Sequence, residues 1–239
     1  MLLLFRVLEL ETGSLLIDGF DLAAMPLDVL RRAIAMLPQD PLLFSGSVRS
    51  NLDPFDEHTD SGIWDALERA QISPAIKAIA EGLDAEVGEG GDLFSLGQRQ
   101  LLCFARALLK KSAILVMDEC TASVDVETDA KIQTMVRQEF AQCTVLAIAH
   151  RIGTIIDYHQ IVMLDKGKLV EHGSPAELLS NPSGHFSQLV DDTGSGHAVH
   201  LRELAVKAGE AQRAAAVGIS RPVSPSHTRP ASPDQWRGE

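Results

Sequence analysis

Two short apolar runs constrain this chain more than anything else in it. Ala113-Ile-Leu-Val-Met117 leads directly into Asp118-Glu119, and Thr144-Val-Leu-Ala-Ile-Ala149 leads into His150. Apolar residues that run on without alternating are the pattern of parallel strands covered on both faces, and parallel strands need a long crossover between them. The intervening segment supplies one, since Ile132, Val136 and Phe140 fall on one helical face. Ser14–Asp18 and Ala33–Leu37 read as further strands, and Ile63, Leu67 and Ala70 mark another helix. Ile161-Val-Met-Leu164 and Lys168-Leu-Val170 flank Asp165-Lys-Gly167, which predicts a hairpin. Strands alternating with helical patterns place residues 1–193 in the α/β class.

Charge and composition narrow the partners. The formal net charge of −12 over 239 residues argues against nucleic acid, whose binding rests on neutralising phosphates with basic side chains. No apolar run approaches the roughly 18–20 residues of a membrane-spanning helix. Cys103, Cys120 and Cys143 are odd in number and widely spaced, which makes no disulfide framework and suits a reducing compartment. His197 and His200 lie in a polar stretch and read as solvated rather than as metal ligands. Met1-Leu-Leu-Leu-Phe5 is interrupted by Arg6, Glu9 and Glu11, so it reads as the tail of an amphipathic helix ended by Gly13, not as a signal peptide. The charge changes near Gly194, from −14 over residues 1–193 to +2 over 194–239. The proline-rich stretch 220–233 predicts a disordered tail over 194–239, relieved by a short alanine-rich helix around Ala198–Val217.

Functional side chains in open parallel sheets collect just beyond the carboxyl ends of strands. Asp118-Glu119 and His150 occupy such ends, and Gln39 follows Ala33–Leu37 within Pro38-Gln-Asp-Pro41. An apolar strand ending in Asp-Glu suits a magnesium-nucleotide hydrolase, in which one carboxylate holds the hydrated ion and the other polarises water. A fourth candidate is Phe94-Ser-Leu-Gly-Gln-Arg-Gln100. Ser95 and Gln98 have capping-box spacing, opening a helix through Leu101, Leu102, Ala105, Leu108 and Leu109. Gly97 leaves the first turn without a side chain, where amides and helix dipole invite a phosphate. Taken singly, each of these features also fits ordinary capping or packing.

Taken together, they resemble the second nucleotide-binding domain of ABC transporters of the multidrug-resistance-associated subfamily, subfamily C. Phe94-Ser-Leu-Gly-Gln98 resembles the ABC signature, Ala113–Glu119 the Walker B strand with its glutamate, and Gln39 the Q-loop glutamine. Ala122-Ser-Val-Asp125 resembles the D-loop and His150-Arg151 the switch histidine. Residues 38–55, from Pro38-Gln-Asp-Pro41 to Asp53-Pro-Phe55, are the part most specific to the subfamily. The resemblance implies a RecA-like, P-loop NTPase-type core (about 1–38 and 112–193) with a helical subdomain (about 42–111). It implies ATP and magnesium as ligands, and as partners a second nucleotide-binding domain and transmembrane domains at the cytoplasmic face of a membrane. It further implies that Glu119 polarises the attacking water, His150 holds the γ-phosphate, and Gln39 and Asp118 belong to the magnesium and water shell. Ser95, Gly97 and Gln98 would contact nucleotide held by the opposite domain, and Asp125 would couple the two sites. Cys120 stands where the family usually has alanine.

One motif of the family is missing from these 239 residues: no G-x-x-x-x-G-K-[ST] occurs, and the one Gly-Lys, Gly167-Lys168, is followed by Leu169. By resemblance the chain lacks the P-loop strand, so Ala113–Met117 and Thr144–Ala149 are expected to lose a backbone partner and expose apolar side chains. Three readings follow: an exporter ATPase domain, inactive alone; a non-catalytic module offering the signature helix in trans; or a truncated product without an independent role. Hydrogen bonds to charged groups contribute roughly 1.5–3 kcal/mol each, so losing three P-loop contacts costs at least ~4.5 kcal/mol, about a thousandfold in Kd. The isolated chain is therefore expected to show no measurable magnesium-ATP binding at micromolar nucleotide; saturable binding in equilibrium dialysis would overturn this.

Overall fold

The computed structural model describes residues 1–121 and 124–218 and divides at Arg151/Ile152 into two compact units. In the first, β1 (Leu16–Ile17) and β2 (Phe20–Asp21) form a short antiparallel ladder, and α1 (Leu27–Ala33) runs into β3 (Ile34–Leu37). A second small ladder pairs β4 (Gly46–Ser47) with β5 (Glu86–Val87); between them in sequence lie α2 (Val48–Leu52), α3 (Asp60–Arg69) and α4 (Ser73–Lys77). The unit continues through α5 (Leu96–Lys110), β6 (Ile114–Asp118), α6 (Val126–Glu139) and β7 (Thr144–Ile148).

Strands β3, β6 and β7 make a parallel sheet in the order β3-β6-β7. The middle strand buries Leu115, Val116 and Met117, the two-faced cover its unbroken apolar run predicts. Against expectation, β6 keeps a partner on each side. The edge falls on β7, where expected burial on both faces gives way to alternation, with Leu146 and Ile148 exposed. The physical reason is position: among the described residues β7 pairs with β6 alone, so one flank lacks the neighbour that would cover it.

Helix α5 is the core's centrepiece. It buries Leu101, Leu102, Phe104, Ala105, Leu108 and Leu109, and the Phe104 ring meets Phe140 edge-on at 5.5 Å. Ile63, Leu67 and Ala70 join the same core from the α3 side, and Ile132, Val136 and Phe140 from α6, as their periodicity predicts. Lys110 closes α5 by donating to Ile34 O at 2.7 Å; burial pushes its ammonium pKa down. Residues 2–6 are turn and the rest of 1–11 is irregular, rather than the predicted helix. Arg6 sits in the left-handed region (φ 47°), which a right-handed helix excludes, and its guanidinium donates to Met25 O at 2.8 Å.

The second unit contains α7 (Ile152–Ile155), β8 (Ile161–Asp165) paired antiparallel with β9 (Lys168–Gly173), then α8 (Pro175–Leu179), α9 (His185–Asp191) and α10 (Ser195–Gly218). The predicted hairpin turns at Lys166 and Gly167, both at positive φ, as a two-residue primed turn requires. The disorder expected from residue 194 does not begin there, and helix α10 matches the alanine-rich helix expected around Ala198–Val217. Ala198, Leu201 and Ala205 give it a buried stripe against Phe186 and Val190, and Arg202 ties it to Leu179 O (3.1 Å) and Asp191 (2.8 Å). The proline-rich stretch 220–233 lies outside the described residues. No helix among the described residues is long and apolar enough to cross a membrane.

An exposed apolar edge strand is a template for aggregation, and a lysine on it is the usual remedy. Leu146→Lys is expected to lower light scattering by the chain while changing unfolding free energy by no more than about 0.5 kcal/mol. Unchanged scattering would place the sticky surface elsewhere.

Candidate functional site

Parallel register decides where the chemistry gathers. Leu37 pairs with Met117 and Met117 with Ala147, so Gln39, Asp118-Glu119 and His150 all leave the sheet at its carboxyl edge. Beyond Asp118 the ladder runs one step further, with the Glu119 N–H donating to Ile148 O at 2.9 Å. Glu119 then turns in the left-handed region (φ 46°), a conformation costing roughly 1–2 kcal/mol for a residue with a side chain. That turn carries its carboxylate to His150, whose Nε2 lies 2.8 Å from Glu119 Oε1. The glutamate side chain is 18% exposed and the imidazole 75%, so a carboxylate set into the protein is covered by a ring that faces solvent. The pair holds a proton acceptor and a donor side by side.

Asp118 is half-buried and Gln39 exposed; among the described residues neither side chain is spent on a hydrogen bond within the protein. One carboxylate and one amide oxygen on adjacent strands fit magnesium, a hard ion that takes few protein ligands and keeps water and phosphate as the rest of its shell. Among the described residues no group of His, Cys, Asp and Glu forms a cage for a metal.

Ser95, Gly97 and Gln98 form a separate group at the start of α5. Ser95 Oγ accepts from Gln98 N (3.3 Å) and Gln98 Oε1 accepts from Ser95 N (2.9 Å), the predicted capping box. The side that Gly97 leaves bare is not open, because a Cβ there would lie 3.4 Å from Thr128 Cγ2, in ordinary contact with α6. Asp125 caps α6, accepting from Thr128 N (2.9 Å) and Thr128 Oγ1 (2.7 Å). The Thr128 amide first, and then its hydroxyl, hold the Asp125 carboxyl below the usual range.

Several residues that pin the Gln39 loop escaped the reading of the sequence. Asn51, buried, accepts from Phe44 N and donates to Phe44 O, both at 2.8 Å. Arg106 Nε donates to Asn51 O at 2.8 Å, and Gln100 Nε2 to Pro38 O at 3.3 Å. The available signal was a polar residue set within the apolar stretch of α5, as Gln100 and Arg106 are. Also missed was Asp129, on the first turn of α6, which accepts from Arg151 Nη1 at 2.9 Å.

The ABC transporter family profile matches residues 1–122. This chain belongs to the ABC transporter family. Over 197 residues it is 53% identical to ATP-binding cassette sub-family C member 2 of Rattus norvegicus, covering 82% of this chain and 13% of the relative. Identity is 50% over 205 residues with ABC transporter C family member 3 of Dictyostelium discoideum (86% and 14%), and 52% over 191 residues with sub-family C member 2 of Homo sapiens (80% and 12%). The ABC chain thus spans 12–14% of the length of these relatives. Its fold superposes on a bacterial Atm1-family ABC exporter solved with ATP bound, with a TM-score of 0.75 and 34% identity, over 81% of this chain and 34% of that one. The α/β class and the subfamily C likeness read from the motifs hold.

Cys120 is buried, and burial pushes its thiol up to about 12, with Asp129 and Asp118 adding to the effect. Burial likewise raises Cys103. A thiol so protonated is a poor nucleophile. Iodoacetamide at pH 8 is expected to label half-buried Cys143 first and spare Cys120 in the native chain, read by peptide mass spectrometry. Early labelling of Cys120 would show that the strand end opens.

Proposed function

We propose that this ABC chain is the ATP-hydrolysing domain of a subfamily C exporter, with Glu119 as general base and His150 as its partner at the γ-phosphate. The observation that carries the reading is the 2.8 Å contact between Glu119 and His150 at the carboxyl edge of the sheet. Water attacks the γ-phosphorus as the bond to the bridging oxygen breaks, and Glu119 accepts the water's proton, leaving ADP and phosphate. His150 steadies the carboxylate through Nε2 and, with nucleotide bound, turns that N–H to the phosphoryl oxygens. Gln39 and Asp118 would hold magnesium, which would neutralise phosphate charge. The start of α5, with exposed Ser95 and half-buried Gly97 and Gln98, meets nucleotide on a second nucleotide-binding domain, and Asp125 links the two sites. The core is RecA-like over about 1–38 and 112–193, with a helical subdomain over about 42–111. Transmembrane domains and a station on the cytoplasmic face of a membrane complete the assembly.

The β- and γ-phosphates also need a G-x-x-x-x-G-K-[ST] loop, which these 239 residues do not contain. That favours inactivity of the chain by itself, and it leaves a second reading in which α5 serves a complete partner domain in trans. The exposed Ser95 cap supports that reading, since it owes nothing to a P-loop.

The test is a graft of the chain over the matching segment of the rat sub-family C member 2. Glu119→Gln in that graft is expected to slow ATP hydrolysis by roughly 10²–10⁴-fold, with ATP still bound. An unchanged rate would make Glu119 a structural carboxylate and favour the non-catalytic reading.

A further inference from the structure

His150 leaves the sheet from its edge strand with its ring three-quarters exposed. A single hydrogen bond to Glu119 does not by itself fix a side chain in that position. The next residue does more. Arg151 Nη1 donates to Asp129 Oδ2 at 2.9 Å, and the other Asp129 oxygen accepts from Gln133 Nε2 at 3.4 Å. Asp129 is 15% exposed, so the pair is shielded at its acidic end, unlike the fully solvated pairs that contribute almost nothing.

The element carrying Asp129 is rigid. Helix α6 is capped by Asp125 and buries Ile132, Met135 and Val136 in the main core. At its far end Glu139 accepts from Arg69 Nε of α3 at 2.8 Å. Arg151 is therefore fastened to a fixed point, one residue from the imidazole.

We infer that Asp129 is a positioning residue, which through Arg151 holds the His150 backbone against α6 and so keeps the imidazole on Glu119. The inference rests on the proposed roles of Glu119 and His150. Neither Asp129 nor Arg151 touches substrate in this scheme. Their removal leaves both reacting groups intact and releases only their alignment, and a misplacement of about 1 Å can cost roughly 10²-fold in rate.

The test uses the same graft, with Asp129→Ala, Arg151→Gln and the conservative Asp129→Glu. Asp129→Ala and Arg151→Gln are expected to lower kcat by about 10–100-fold with KM for ATP within about twofold, the split that lost alignment produces and lost binding does not. Asp129→Glu is expected to recover most of that loss. Arg151→Gln, at a half-exposed position, is expected to leave the thermal midpoint of the ungrafted 239-residue chain unchanged. An unaltered kcat in Arg151→Gln overturns the inference, as does a loss of kcat accompanied by a fallen thermal midpoint or raised KM. Asp129→Glu as slow as Asp129→Ala overturns it too. Glu119→Gln run alongside separates the two levels. If it hydrolyses ATP normally, the catalytic reading falls. If it is inactive while Arg151→Gln is not, only the role of Asp129 falls.

Discussion

The parallel register of β3, β6 and β7 is the constraint on which the rest of the site depends. Because Leu37, Met117 and Ala147 lie abreast, the residues that follow them come off the sheet together, although more than a hundred positions separate Gln39 from His150. The backbone bond from Glu119 to Ile148 extends that register by one residue, and the left-handed turn at Glu119 converts it into a side-chain contact. A slip of one residue would turn Glu119 to the opposite face and break the pair.

Two helices turn this strand-end arrangement into a rigid one. Helix α5 fills the core with its apolar face and uses Gln100 and Arg106 to grip the chain on either side of the Gln39 loop. Helix α6 serves at its first turn, where Thr128 meets the bare side of Gly97 and Asp129 takes Arg151. The strand-end carboxylates and the start of α5 therefore share one helical turn as a neighbour. Buried Cys120 sits beside it, close enough to Asp129 for that carboxylate to oppose thiol ionisation.

Much of this was legible before any coordinates. Unbroken apolar runs named β6 and β7, helical spacing named the buried faces of α3, α5 and α6, and capping-box spacing marked the start of α5, because each depends on neighbours within a few residues. The misreadings came where distant parts of the chain decide. Strand β7 has the composition of a strand covered on both faces but lies at an edge, a matter of which strands pair rather than of its own residues. The alanine-rich helix expected around Ala198–Val217 is α10, and what its own residues left open was its packing, with Ala198, Leu201 and Ala205 covered by Phe186 and Val190.

By itself, then, the order of residues determined the α/β class, the family and the identity of the strand-end groups, since periodicity, capping and motif spacing are local properties. Only the tertiary structure decided that Glu119 meets His150, that Thr128 fills the space beside Gly97, and that Asp129 takes Arg151. Those contacts join residues 22 to 31 positions apart. Nothing in either partner's own neighbourhood encodes the other; the register of the sheet and the packing of α6 bring them within reach.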